Sequence, residues 1–242
     1  MRLGHKMKPL NKTLNDWLRL LRAPNLFTVP GDPVAGFLLA GGISGRVFPA
    51  AGASLFLYAG GLLMNDLCDM EEDRRDRPGR PLPGGAVGKG AALAVAFAFG
   101  AAGLGLCALA GAFRAGLCAG LCIITYNAGI KKIPFIGAVN MGLCRGFSVL
   151  IGGAAASGAV FHNGAMPAAL VIALYIATVT ILARNETKGS RIGPPAIGML
   201  IRLLLPIQAA FCAATPGGTG FALALLALWP ISRAVGKRFA GS

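Results

Sequence analysis

Eight apolar stretches, each about as long as a bilayer core is thick, set the possible folds of this chain. They run over 26–43, 47–65, 90–107, 109–127, 135–155, 165–183, 196–213 and 218–235. A helix rises 1.5 Å per residue, so about 20 apolar residues cross about 30 Å of hydrocarbon. Only 13% of the 242 residues are charged, about half the fraction of a soluble domain. Thirty-six glycines suit helices that approach closely through small side chains. The expectation is an all-α membrane protein, a bundle of eight or nine transmembrane helices. Residues 1–23 form a basic N-terminal segment, 24–236 a single transmembrane domain, and 237–242 a short basic tail. Leu10, Leu14, Trp17, Leu18 and Leu21 recur at helical spacing beside Lys12, Arg19 and Arg22, which predicts an interfacial helix over 10–22. No small-residue cleavage site follows it, so a removable signal peptide is not expected.

A net charge of +14 raises the question of nucleic acid, and its placement answers against it. With eight spans, one side receives the N-terminus, the even-numbered connectors and the C-terminus. That side collects 19 of the 23 Lys and Arg residues; the other receives only Arg46 and Arg114. Cytoplasmic loops gather basic residues. The asymmetry predicts an inner-membrane, multi-pass protein with both termini cytoplasmic, and no nucleic-acid partner. The six cysteines lie in or beside apolar blocks without a CxxC pair, which points to packing.

The chain has nine carboxylates, and six lie between Asp66 and Asp76. Asn65-Asp66-Leu67-Cys68-Asp69-Met70-Glu71-Glu72-Asp73 ends the second apolar block. At 100° per residue, Asp66, Asp69 and Asp73 share an arc of about 60°, with Asn65 at its border. Three acids on one face repel one another unless a cation lies between them. Hard oxygen ligands of this kind suit Mg²⁺, which commonly bridges carboxylate and substrate phosphate. Arg74, Arg75, Arg77 and Arg80 follow, within a loop that Pro78, Gly79, Pro81 and Pro83 punctuate. Guanidinium forks match phosphate oxygens, so acids, Mg²⁺ and arginines together make a candidate diphosphate site.

These residues resemble the UbiA superfamily of intramembrane aromatic prenyltransferases. Asn65, Asp66, Asp69 and Asp73 match the family's first aspartate motif, N-D-x-x-D-x-x-x-D, and Arg77 to Gly85 match its R-P-x-R-P-x-P-x-G loop. Tyr126 with Lys131 and Lys132, and Asn140 with Arg145, resemble polar positions of its fourth and fifth spans. The resemblance implies a helical bundle around a central cavity. It also implies Mg²⁺-dependent transfer of a prenyl group from a polyprenyl diphosphate to an acceptor, aromatic or lipid, within the membrane. Asp66, Asp69, Asp73 and Arg145 are then the candidate catalytic residues. Asn25, Asn65, Arg74, Arg77, Arg80, Tyr126, Lys131, Lys132, Asn140 and Lys188 are candidates for substrate binding.

The family's second aspartate motif is degenerate here, a feature reminiscent of the Ebo-type branch. The connector reads Ala183-Arg184-Asn185-Glu186-Thr187-Lys188, with Asn185 where an aspartate is expected. Asn185 or Glu186 completes the metal site in one reading, and Lys188 replaces a missing cation at phosphate. In the alternative, the protein binds or moves a prenyl lipid without turnover. Asn25 either faces an acceptor pocket or caps a helix; Asp32, between Pro30 and Pro33, either marks a kink or acts in catalysis. Arg145 inside an apolar span requires a partner, expected to be phosphate or a motif carboxylate. A generic permease finds no support, since the hydropathy shows neither an inverted repeat nor a polar midplane cluster.

Overall fold

The computed structural model describes residues 12–185 and 193–238. Its helices, in chain order, are α1 (Lys12–Leu20), α2 (Ala23–Leu26), α3 (Gly31–Leu39), α4 (Val47–Cys68), α5 (Met70–Asp76), α6 (Lys89–Ala110), α7 (Phe113–Asn127), α8 (Pro134–Ser157), α9 (Met166–Asn185), α10 (Pro194–Arg202), α11 (Leu204–Ala213) and α12 (Thr219–Arg238). No strand occurs among the described residues.

Six of the eight expected apolar blocks form helices long and apolar enough to cross a membrane: α4, α6, α8, α9, α12 and the nearly continuous pair α10–α11. The other two are shorter. Block 109–127 becomes α7, 15 residues long, about 22 Å at 1.5 Å per residue. Its break from α6 falls at Gly111, which takes φ 78°, rather than at residue 108. Block 26–43 is not one helix. Pro30 and Pro33 lack amide hydrogens, and the segment divides into the four-residue α2 and the nine-residue α3. Every residue from Gly31 to Phe37 is buried, so α3 lies inside the bundle, where hydropathy alone placed a span.

Gly36 and Gly152 bring α3 and α8 into backbone contact. A Cβ at Gly36 would stand 2.0 Å from the Val149 carbonyl oxygen, and one at Gly152 would stand 1.8 Å from that of Pro33. This close approach seats α3 against the middle of α8, next to Arg145.

The amphipathic segment forms α1 as expected, but its apolar side is used by the protein itself. Leu20 is buried, and Trp17 and Leu21 pack with it against Leu63 of α4, Leu82 and Val87 of the loop before α6, and Ala92 of α6. Helix α1 ends at Leu20, and the turn after it carries Arg22, the one non-glycine residue with positive φ among the described residues (φ 46°, ψ 54°). That left-handed turn redirects the chain into α2 and aims the Arg22 side chain at α4.

Candidate active site

The aspartate motif sits where α4 gives way to α5. Asp69 lies at the break with φ −92° and ψ 3°, in the sparsely populated bridge region where active-site residues recur. Each acid finds a basic partner, and Asp66 and Asp73, on either side of the break, share Arg80. Asp66 takes Arg22 at 2.9 Å and Arg80 at 3.7 Å. Asp73 takes Arg80 at 2.5 Å. Asp69 takes Lys131 at 2.5 Å, and the same ammonium donates to Asn65 Oδ1 at 3.1 Å. Repulsion along the stripe is thus relieved by three basic side chains drawn from the turn between α1 and α2, the proline-rich loop and the turn before α8.

The arginines of the motif divide. The Leu82 anchor and the turn bonds Gly84 N–H to Arg80 O and Val87 N–H to Pro81 O fix the loop so that Arg80 points inward. Arg74 instead pairs with Glu71 at 3.1 Å on the exposed side of α5, and Arg77 is exposed. The structure therefore brings Arg80 to the acids and leaves Arg74 and Arg77 outside that cluster.

Two cavities meet here. The mouth, of about 600 Å³, is lined by Asn65, Asp69, Glu72, Tyr126, Lys131, Lys132, Phe135 and Arg184. Arg184 also donates to the backbone carbonyls of Pro134 (2.7 Å) and Lys131, which holds the turn carrying the two lysines. The inner cavity, of about 240 Å³, is walled by apolar residues of α4, α7 and α8, including Leu57, Leu62, Ala119, Ile123, Met141 and Ile151. Asn65 and Tyr126 belong to both walls and mark the junction. Deeper lie Tyr58, Ser54, Ser148 and Arg145; Tyr58 is seven residues below Asn65 on α4, about 10 Å along the helix.

Arg145 corrects the expected pairing. Its partner is Asp32 of α3, with Nε and Oδ2 at 2.7 Å, and not a motif carboxylate. Neither atom makes a well-aligned hydrogen bond, so the contact is an ion pair. Arg145 Nη2 also donates to the Thr28 carbonyl at 2.8 Å, and its guanidinium lies 5.7 Å from the Tyr58 ring centroid. Gln208 of α11 donates to Asp32 Oδ1 at 2.6 Å and to Thr28 O at 2.8 Å. Asp32, Thr28 and Gln208 are fully buried, and Arg145 is 5% exposed. A polar cluster thus stands inside the bundle, contrary to the expectation from hydropathy. Its unrecognised member was Gln208, whose signal was an amide within an apolar block. Arg22 was also missed as a site residue, because it was tallied only as an orienting charge.

Two further candidates lie off the cavities. Asn140 donates to Thr125 Oγ1 at 3.0 Å, joining α8 to α7, and lines neither cavity. Asn25 likewise lines neither; its carbonyl accepts the Thr28 hydroxyl at 2.8 Å. The Asn185 side chain, Glu186 and Lys188 lie outside the described residues.

The oxygens of Asn65, Asp66, Asp69 and Asp73 are hard ligands of the kind Mg²⁺ takes. Among the described residues, no three acidic, histidine or cysteine side chains converge on a closed metal site. The donor set fits an ion that one or two carboxylates hold and that phosphate oxygens complete.

Fold and site together define a helical membrane protein with an amphiphile-shaped site, charged at its mouth and apolar within. The chain belongs to the UbiA prenyltransferase family, which matches residues 33–235. The digeranylgeranylglyceryl phosphate synthase of Halobacterium salinarum is 33% identical over 194 residues, covering 75% of this chain and 68% of that protein. Proteins of the same name from Methanoregula boonei and Ignicoccus hospitalis are 34% and 37% identical, over 53% and 42% of this chain. The matches cover 44% and 35% of those two relatives, less than half of their length. Among solved structures, one described as giving insights into digeranylgeranylglyceryl phosphate synthase in membranes matches with a TM-score of 0.59 and 21% identity, covering 91% of this chain and 84% of that one. A UbiA homolog from Archaeoglobus fulgidus bound to GPP and Mg²⁺ matches at 0.58 and 19%, covering 94% and 89%. At these identities the structures establish the shared fold.

Proposed function

We propose that this protein transfers a prenyl group from a polyprenyl diphosphate to an acceptor lodged in the membrane, with Mg²⁺ as cofactor. The observation that carries the reading is the junction at Asn65 and Tyr126, where a mouth of acids and cations opens onto an apolar cavity. A diphosphate head and an isoprenoid tail have that same division of polarity. The relatives' name and the GPP-bound neighbour support the donor class. The relatives' name also makes a glycerol phosphate lipid the first acceptor to test.

In this reading one or two of Asp66, Asp69 and Asp73, with Asn65, would hold Mg²⁺, which would neutralise diphosphate charge. Lys131 and Arg80, displaced from the acids, turn to phosphate oxygens. Negative charge grows on the departing diphosphate, so donors fixed beside it lower the barrier. The apolar wall excludes water from the allylic cation until the acceptor captures it. The basic excess on the connectors at the mouth orients it toward the cytoplasm, with both termini on that side.

A second reading, prenyl-lipid binding without turnover, draws on the basic partner that each motif acid already has. One experiment separates the two. Purified protein in nanodiscs is incubated with Mg²⁺, labelled geranylgeranyl diphosphate and a geranylgeranylated glycerol phosphate. Transfer is expected to yield a doubly prenylated lipid and free diphosphate, both lost in Asp66→Asn. Mg²⁺-dependent binding of the donor with no diphosphate release in the presence of any acceptor would support the second reading instead.

A further inference from the structure

Prenyl diphosphate chemistry at the mouth leaves the deep end of the inner cavity unexplained. The charged group there is Arg145, and its charge is already balanced. Both oxygens of Asp32 face donors, Oδ2 against Arg145 Nε at 2.7 Å and Oδ1 accepting from Gln208 at 2.6 Å. The carboxylate and the guanidinium form a buried pair whose charges offset each other. The other cation on this cavity wall, Arg22, is paired with Asp66 at 2.9 Å. The inner cavity therefore holds no uncompensated positive charge among the described residues.

It does hold spare donors. A guanidinium has five N–H groups. Here Nε serves Asp32 and Nη2 serves Thr28 O, while Nη1 has no hydrogen-bond partner among the described residues. Ser54 and Ser148 share one hydrogen bond between their hydroxyls, and Ser148 also serves Asp32, so the spare donor is the Arg145 Nη1 group. The site thus offers hydrogen-bond donors without net charge, in a low-dielectric wall where an unpaired anion is costly.

We infer that the Asp32–Arg145 pair selects the acceptor: it positions an uncharged oxygen, as in a hydroxyl, ether or carbonyl group, and rejects a carboxylate. Asp32 acts through Arg145, so it sets specificity by removing a charge. The term acceptor rests on the prenyl-transfer reading; the selectivity itself rests on the cavity alone.

The test uses two matched probes, 1-O-decylglycerol and the analogue in which its terminal CH₂OH is a carboxylate. Binding to the full chain in nanodiscs is measured by equilibrium dialysis against empty nanodiscs. The wild type is expected to bind the alcohol at least tenfold more tightly than the carboxylate. Asp32→Asn keeps the Gln208 contact and leaves Arg145 uncompensated, so the ratio is expected to fall tenfold or reverse. The double variant Asp32→Asn/Arg145→Gln removes both charges; it is expected to retain the preference for the alcohol but bind it several-fold more weakly. A wild type that binds the carboxylate as tightly as the alcohol overturns the inference. So does a folded Asp32→Asn with an unchanged ratio, or a double variant with undiminished alcohol binding. Should Asp32→Asn not fold, the wild type and the double variant still decide. Mg²⁺-dependent geranylgeranyl diphosphate binding is read on the same samples. Its absence with the alcohol preference intact counts against prenyl transfer and leaves the selectivity standing.

Discussion

Arg22, on the wall of the inner cavity, meets Asp66, 44 positions away in sequence, at 2.9 Å. Arg22 reaches that point because it takes a left-handed backbone conformation (φ 46°) that costs a residue with a Cβ about 1–2 kcal/mol. Its side chain is 29% exposed, so the ion pair itself contributes at most about 1 kcal/mol to stability. Arg22→Gln is therefore expected to melt within a few degrees of wild type while binding geranylgeranyl diphosphate about tenfold more weakly. Thermal melts alongside Mg²⁺-dependent ligand binding check both halves.

Lys131 and Lys132 are adjacent and chemically equal in sequence, yet only Lys131 contacts Asp69 and Asn65; Lys132 is exposed. Lys131→Met is expected to weaken prenyl diphosphate binding tenfold or more, and Lys132→Met by threefold or less. Equal losses in a side-by-side titration would show that the two act only as local positive charge.

Removing one member of the buried ion pair strands the other. Arg145→Leu is expected to cost about 3–5 kcal/mol, because Asp32 then loses its cation and must either stay charged in an apolar interior or take up a proton. Gln208→Leu removes one donor from that same carboxylate and is expected to cost about 1–3 kcal/mol. Urea or thermal unfolding in detergent, followed by circular dichroism, ranks the variants.

At Gly152 even a methyl group has no room, since its carbon would lie 1.8 Å from the Pro33 carbonyl. Gly152→Ala is expected to push α3 off α8 and cost about 1–3 kcal/mol or more. Gly220, with nothing within 4 Å of a Cβ, is the matched control. Its alanine variant should melt at or slightly above wild type.

Much of this was readable from the chain. Long apolar runs report their own helices, so six spans and the acidic motif at the end of α4 followed from hydropathy and spacing. Asn65, Asp66, Asp69, Lys131 and Tyr126 were picked out and do border the mouth or its acids. What stayed hidden was long-range pairing. Nothing local to Arg145 says that it answers Asp32, and Gln208 meets Asp32 across 176 positions. The block 26–43 misled because burial inside protein and burial in lipid demand the same apolar residues. Its two prolines and Asp32 were the only hints that α3 stops short. Arg74 and Arg80 look alike in the motif; the packing of Leu82 beneath α1 decides which one turns inward.

The shortness of α3 bears on how the protein is made. Nine residues reach only about 14 Å, too little to hold the middle of a bilayer unaided, and they carry an acid that hydrocarbon rejects. During synthesis Asp32 emerges long before Arg145 and Gln208 exist. Its helix must wait near the surface until α8 and α11 arrive to draw it inside, so this part of the interior closes only after α11 has been made.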